Sequence, residues 1–583
     1  MSILMDGERI LCNQDDIANH VLNYYTDLFG STNNIAPNDL IQSMISSLDF
    51  DDENLMFTSI PSHQEIKDVV FGLNGDGAPG PDGFGGCFYQ DFWDIVGNDI
   101  ITKVLVDRLS IIAPKIISPQ QRGFIRDRKI QECICLASEA INLLDHKTFG
   151  GNMAIKLDIK KAFDTIDWDF ITSTLTAFGF SMHFTNLIKV ILSSSRLSFC
   201  VNGHMVGFTN CSRGVRQGDP LSPPLFCIVE DVFSRGIMKL VNDRKLSPIS
   251  SPNMLQTPSH VLHADDIMIF CKGTKSNLLA LKSLIQDYSS ASGKHISADK
   301  CKFYIKNAPA RKVSNISNYL GFQQGSLPFN YLGVSLFTGK PKKCQLQPIA
   351  DKILLKLSAW KGSLLSIMGR VELVISICQS MLVYSFHVYK LPAQLLKGVD
   401  SKMRNFIWSG NTEAQKIVTV AWNQVCSSTS VGGLGLKFIK LMNKSALLKL
   451  AWDSSDSILT TKLAYDSLSH SNSPNHWRNN IWFNSIPHSR SFITWRLLNG
   501  KMPTNDNLQK RGWYMGSMCS LCRSNTEGSS HLFLTCPFAI YLWNWLGSHM
   551  AIFIDTSSVT ALFSICNNSW SKQMNEMLYA CII

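Results

Sequence analysis

Two short stretches, LDIKKAFDTIDWDF at 157–170 and HADDIMIF at 263–270, constrain this chain more than any others. Each drives an apolar, strand-like segment straight into aspartate. Met153 to Leu157 reads as a short buried strand that delivers Asp158. Val261 to Cys271 reads as two strands joined by a tight turn at Ala264-Asp265-Asp266. An unpaired carboxylate at the end of a buried strand is costly unless a cation neutralises it. Two divalent ions held by such acids can activate a hydroxyl and stabilise a departing pyrophosphate. Magnesium is the natural candidate, since it favours oxygen ligands and phosphates. Taken singly, either stretch reads equally well as solvated turn acids, because aspartate is common in turns.

A third stretch, RGVRQGDPLSPPLF at 213–226, places Gly214 and Gly218 where the backbone can be approached closely. Ser222 is positioned to cap a helix opened by Pro223 or Pro224. A glycine turn at a helix start can receive a nucleotide, though alone this is an ordinary loop-to-helix connection. A fourth constellation is Cys519, Cys522, His531 and Cys536, spaced C-x2-C-x8-H-x4-C. Two close thiolates, a loop, then His and Cys can close a tetrahedral zinc site. Four protein ligands leave no open position, so such a zinc is structural; the alternative is free thiols in a cysteine-rich chain. The flanking Arg496, Lys501, Lys510, Arg511 and Trp513 either contact RNA by charge and stacking or form a solvated face over core tryptophans.

The chain has 583 residues, too many for one hydrophobic core. A formal net charge of +10 suits a polyanion partner. The 17 cysteines and a start without a basic-then-apolar leader suggest reduced thiols inside the cell, with nucleus or cytoplasm left open. The apolar run Leu373 to Phe386 contains Gln379 and is too short to span a bilayer, so it reads as a buried helix. Residues 1–70 look helical and polar, with Ile17, Val21, Leu22, Tyr25 and Leu28 at helical spacing. Asn74 to Gly86 reads as a loop, and residues 101–310 alternate strands with helices. Helices dominate 345–460, broken at the GGLGL of 432–436, and tryptophan and cysteine concentrate beyond 461.

In this order, the first three stretches resemble the palm of reverse transcriptases. LDIKKAFD resembles its first aspartate motif, RQGDPLSPPLF its second, and HADD the family's Tyr-Ala-Asp-Asp box. The resemblance implies that Asp158, Asp265 and Asp266 hold two catalytic Mg2+ ions, that Phe163 excludes ribonucleotides by crowding the sugar 2′ position, and that Gln217 and Gly218 line the nucleotide and template pocket. Farther on, SGKHISADKCKFYI at 292–305 resembles the next motif and places Lys300 near the triphosphate. FNYLGVSL at 329–336 resembles a primer-grip turn, and Trp360 to Arg370 the start of a helical thumb. QQRGFIRDRKI at 120–130 resembles a finger segment, and APGPDGF at 78–84 is a recurrent element of non-LTR, LINE-type polymerases; together these stretches resemble plant LINE-type copies. WRLLNGKMPTNDNLQKRG and HLFLTCPFAIYLW, around the fourth constellation, resemble the zinc-binding region downstream of such polymerases.

The implied fold is α+β: a right-hand polymerase with a palm of antiparallel strands and helices, truncated fingers, a helical thumb and a small zinc module. The implied domains are 1–70 (helical), 71–340 (incomplete fingers and palm), 341–460 (thumb) and 461–583 (zinc-binding region). The implied activity is RNA-directed DNA polymerisation, with an RNA template, a DNA primer and dNTPs as partners and no membrane or protein partner. Three departures point to a damaged copy. Only 35 residues separate Phe84 from Gln120, where the family has a longer stretch carrying a triphosphate-gripping arginine. His263 replaces the usual tyrosine, and Asp127 a glycine, a poorer fit if that position needs positive φ. No endonuclease precedes the polymerase, and the end at CII suggests truncation. The alternative is therefore an inactive remnant that at most binds nucleic acid; a splicing maturase shares the palm but not the zinc region.

Overall fold

The computed structural model describes residues 4–6, 9–33, 35, 38–45, 51–73, 75, 85–91, 101–194, 196–252, 257–416, 418, 420–452, 459–469, 480–483, 485–564 and 570–583. The loop expected at Asn74 to Gly86 lies almost wholly outside these residues, as does APGPDGF. The chain divides into two compact units, Met1–Gly339 and Lys340–Ile583.

The first unit is built on a five-stranded sheet. Its strands are β1 (Asn152–Leu157), β2 (His260–His263), β3 (Asp266–Lys272), β4 (Lys302–Ile305) and β5 (Gln323–Gln324), in the order β5-β4-β1-β3-β2. All neighbours are antiparallel except β4 and β5. Met153 to Ile155 and Ile267 to Cys271 are buried throughout rather than alternately, so the central strands are covered on both faces. Of the surrounding helices, α1 (Ile130–Asn142) and α3 (Ser222–Asn242) pack on β2, and α2 (Trp168–Phe178) and α4 (Lys275–Ser292) pack on α3. Asp167 caps α2 by accepting from the amides of Asp169 and Phe170. Every residue of α3 from Pro224 to Ser234 is buried, including Glu230 and Asp231. One hydrophobic core runs continuously from Leu40 to Phe322.

Two expectations change here. Ser222 does not cap α3; the N-cap is Leu221, whose amide goes to Asp219 Oδ1 at 2.9 Å, while the Ser222 amide goes to the Asp219 carbonyl at 3.1 Å. No side chain caps α3; Asp219 instead holds the turn that precedes it. The N-terminal segment carries, besides the helix Gln14–Gly30, an antiparallel hairpin of Leu4–Asp6 with Arg9–Leu11. Strands of three residues are too short to leave a periodic signal.

The second unit is helical at its start, with Lys343–Ala359, Ala393–Ser409 and Ile439–Ala451 among its helices. The apolar run is longer than the sequence suggests: Ile367 to Phe386 is helical over 20 residues, with a π-helical stretch at Val374–Gln379, and by length and composition it could cross a bilayer. It is only partly buried, not the buried helix expected, but polar contacts tie it into the unit. Buried Arg370 donates to the carbonyls of Gly362 (2.7 Å) and Ile407 (3.0 Å), and Gln379 donates to that of Lys437 (2.8 Å). The GGLGL break packs tightly: a Cβ on Gly433 would lie 1.9 Å from the Ser427 carbonyl oxygen.

Candidate active site and metal centre

Antiparallel pairing of β1 with β3 ends at Leu157 opposite Ile267. The next residues in register are Asp158 and Asp266, so these two carboxylates face each other where the ladder opens. Asp265 precedes Asp266 in the turn, and β2 pairs back with His263 opposite Asp266. Asp266 is therefore the first residue of β3 rather than part of the turn. Ala264 carries the turn's positive φ of 55°.

Few cations offset these acids. Lys156 Nζ stands 3.9 Å from Asp266 and Lys300 Nζ 3.9 Å from Asp158, both longer than a direct hydrogen bond. Burial raises the Asp266 carboxyl above the ordinary carboxylate range; Lys156 opposes the shift, and Asp265 and Asp158 add to it. Burial pulls the His263 imidazole down against the pull of Asp266 and Asp265. Concentrated carboxylates with long-range counter-charges fit a hard divalent cation.

The 213–219 segment folds back on the loop after β1. Gly214 N donates to the Ile166 carbonyl (2.7 Å) and Val215 N to that of Phe163 (2.8 Å). Gly214 has φ +81°, and a Cβ there would lie 2.4 Å from the Asp164 carbonyl oxygen, so glycine is what permits the approach. Gln217 Nε2 donates to Asp164 Oδ1 at 3.1 Å; burial raises the Asp164 carboxyl and this bond opposes it. Gln217 and Gly218 are exposed, and Gly218 has φ +95° with open space around it.

Beneath this surface lies a column of rings and charge. The Phe163 ring stacks on Phe226 of α3 at 4.1 Å, with planes 12° apart. On Phe226 sits the ammonium of Lys294, 4.0 Å from the ring centroid. Lys294 and Glu230 are both completely buried and paired at 2.5 Å, and the Tyr288 hydroxyl donates to the same Glu230 oxygen at 3.0 Å. Burial pulls Lys294 down; Glu230 pulls it back.

In the second unit, Cys519, Cys522, His531 and Cys536 bring one ligand atom each to within 4.8 Å of the others. Cys519 and Cys536 are buried, and Cys522 Sγ lies 3.2 Å from His531 Nε2. Hydrogen bonding to the Ser524 backbone leads in holding the Cys522 thiol down, at about 6. Zinc bound to sulfur at about 2.3 Å in a tetrahedron needs ligand atoms about 3.8 Å apart, which this cluster accommodates.

A sequence profile of reverse transcriptase, described as RNA-dependent DNA polymerase, matches residues 99–336, and one of the zinc-binding region in reverse transcriptases matches 459–543. Residues 99–336 are a reverse transcriptase domain. The matched span holds all three acids, and the zinc-region match holds all four Cys and His residues. The 149 kDa transposon TX1 protein of Xenopus laevis is 24% identical over 316 residues, covering 53% of this chain and 23% of its own. The Pol polyprotein of the R2DM retrotransposable element of Drosophila melanogaster is 28% identical over 280 residues, 45% of this chain and 25% of its own. A putative ribonuclease H protein of Arabidopsis thaliana is 34% identical over 104 residues, 18% of this chain and 17% of its own. The matches thus span a quarter or less of each relative's length. Apo telomerase of Candida tropicalis aligns at TM-score 0.33 and 11% identity over 84% of this chain and 63% of its own.

Other parts of the reverse transcriptase domain fall as follows. Phe329–Tyr331 and Val334–Leu336 form an antiparallel hairpin. Lys300 is exposed, beside Asp158 as given above. Asp127 adopts φ +64°, the conformation glycine would take most easily. Between Phe84 and Gln120 the described residues hold the helices Gly86–Asp91 and Ile101–Ile116 and no strand. In the zinc region, Trp513 is exposed and Lys510 pairs with Asp506 at 3.4 Å, but Arg496 packs against the Phe492 ring and is partly buried. Arg496 therefore belongs to the packed interior more than to a nucleic-acid face. Sequence reasoning missed Lys156, Gln121 and the Lys294–Glu230 pair. Lys156 was visible as a charge inside an apolar strand; a buried lysine after a helix-ending glycine gives no signal distinct from a surface one.

Proposed function

We propose that this chain is an RNA-directed DNA polymerase of a non-LTR retrotransposon, adding deoxynucleotides to a DNA 3′ end on an RNA template. The observation that carries the reading is the convergence of Asp158, Asp265 and Asp266 at the open end of β1 and β3, with Gln217 held to Asp164 on the loop that follows Asp158. Transposon TX1 and the R2 element, named above among the similar proteins, support the non-LTR class.

In this reading the three carboxylates hold two magnesium ions, which when bound would lower the barrier to attack by the primer hydroxyl and offset charge on the departing pyrophosphate. Lys300 supplies positive charge toward the triphosphate. Phe163, fixed flat on Phe226, crowds the sugar 2′ position. Gln217, oriented by Asp164, and the unobstructed Gly218 backbone line the nucleotide and template pocket. Cys519, Cys522, His531 and Cys536 hold a structural zinc.

A second reading, an inactive remnant that at most binds nucleic acid, is favoured by the short stretch between Phe84 and Gln120, where positioning contacts to the triphosphate would be lost. Primer extension on an RNA template with magnesium, beside Asp265→Asn, separates the two. Extension that vanishes in the variant supports the polymerase. No extension from folded, zinc-loaded protein leaves the remnant.

A further inference from the structure

We propose that Gln121 is the positioning residue for the Ala264–Asp265 turn, its buried side-chain oxygen setting the backbone conformation that aims the Asp265 and Asp266 carboxylates. The function of those carboxylates rests on the polymerase reading; the contact itself does not.

The turn needs support. Only Ala264 and Asp265 separate the paired His263 and Asp266, and Ala264 takes a left-handed conformation that a side chain disfavours. The amide that such a tight turn presents must also find an acceptor, since it is buried. Gln121 meets that need. Its side chain is fully buried, and its Oε1 accepts from Ala264 N at 3.0 Å and from Gly123 N at 2.9 Å. Both partners are donors, so the oxygen's orientation is fixed by chemistry.

The backbone that carries Gln121 is itself pinned to the hairpin. Leu262 N donates to the Gln120 carbonyl at 2.9 Å and Arg122 N to the Leu262 carbonyl at 2.8 Å. The Arg128 guanidinium gathers the carbonyls of Pro114, Ile117, Ser118 and Gln121 at 2.6–3.2 Å. Gly123 completes the approach: a Cβ there would lie 2.6 Å from Ala264 N.

One cost shows which atom matters. Among the described residues, Gln121 Nε2 is buried without a hydrogen-bond partner. An unmet buried donor is unfavourable. It is tolerated here because an apolar side chain would strand two backbone amides instead of one side-chain donor.

The test uses the full, zinc-loaded chain as wild type, Gln121→Met and Gln121→Glu. Methionine keeps the volume and loses the acceptor; glutamate keeps an acceptor oxygen. Amide hydrogen exchange reads the contact, and Mn2+ titration followed by water-proton relaxation reads the carboxylate site, with Asp265→Asn as the reference for its loss. Gln121→Met is expected to exchange at Ala264 and Gly123 about tenfold faster or more, with α3 amides unchanged, and to bind Mn2+ about tenfold more weakly. Gln121→Glu is expected to restore the protection. Unchanged exchange at Ala264 in Gln121→Met overturns the proposal. So does faster exchange with undiminished Mn2+ affinity, because the turn would then hold its shape without the glutamine. If wild type and Asp265→Asn bind Mn2+ alike, the polymerase reading fails, and exchange at Ala264 alone decides whether Gln121 holds the turn.

Discussion

Replacing Lys294 with methionine isolates the charge buried beneath Phe163. Methionine keeps the apolar stem and removes the ammonium that contacts Glu230 at 2.5 Å and Phe226 at 4.0 Å. Both members of the pair are fully buried, so the loss is not screened by water. Stranding one partner of such a pair costs about 3–5 kcal/mol, with the ring contact contributing about 0.5–2 kcal/mol of interaction. Tyr288 still donates to Glu230, which places the expected loss nearer 3 than 5 kcal/mol. At about 1.4 kcal/mol per decade, that is on the order of a hundredfold in the folding equilibrium. Adding Glu230→Gln removes the stranded charge while keeping an acceptor for Tyr288. The double variant should recover all but about 1 kcal/mol. Urea titration monitored by hydrogen exchange of α3 peptides confines the measurement to the N-terminal unit. A loss under about 1 kcal/mol in Lys294→Met, or a double variant no better than the single, would refute the reasoning.

Four further outcomes are expected. Because burial raises Asp266, protons compete with a cation there, so Mn2+ affinity should climb as the pH rises through and above the ordinary carboxyl range. The same raised carboxyl gives the metal-free protein stability at low pH that is lost as pH rises through its raised value; Asp266→Asn should flatten both trends, measured by titration and thermal unfolding. Chelation or Cys519→Ser should unprotect the helix Pro537–Met550 in hydrogen exchange while β1 and β3 stay protected; equal protection in both states would count against a structural zinc. Gly214→Ala should lower the thermal midpoint well beyond Gly218→Ala, since the first Cβ meets the Asp164 backbone and the second meets open space.

The positions of the candidate site residues were more legible than what supports them. Asp158, Asp265 and Asp266 stood out because acids after apolar runs are expensive, and the strands at 152–157 and 260–272 followed from the same runs. The Cys and His spacing was equally direct, because ligands close in sequence are close in space. What holds the acids was hidden for the opposite reason. Gln121 reaches Ala264 across 143 positions, and Lys294 reaches Glu230 across 64. Neither residue type suggests burial, and no local pattern marks which distant partner it will meet. The Ser222 expectation failed because the helix begins at Ser222 itself: Leu221 takes the N-cap position without a side-chain cap, and Asp219 holds the Leu221 amide in the turn before it.

The bridge between Gln121 and Leu262 has a consequence for solubility. β2 ends the sheet, and the parallel bridge at its outer side engages backbone groups that would otherwise stand unpaired. Bare, apolar strand edges recruit one another. The short segment ahead of α1 is thus a guard against self-association, and a chain shortened to begin after it would offer His260–His263 as a template for stacking with its own copies.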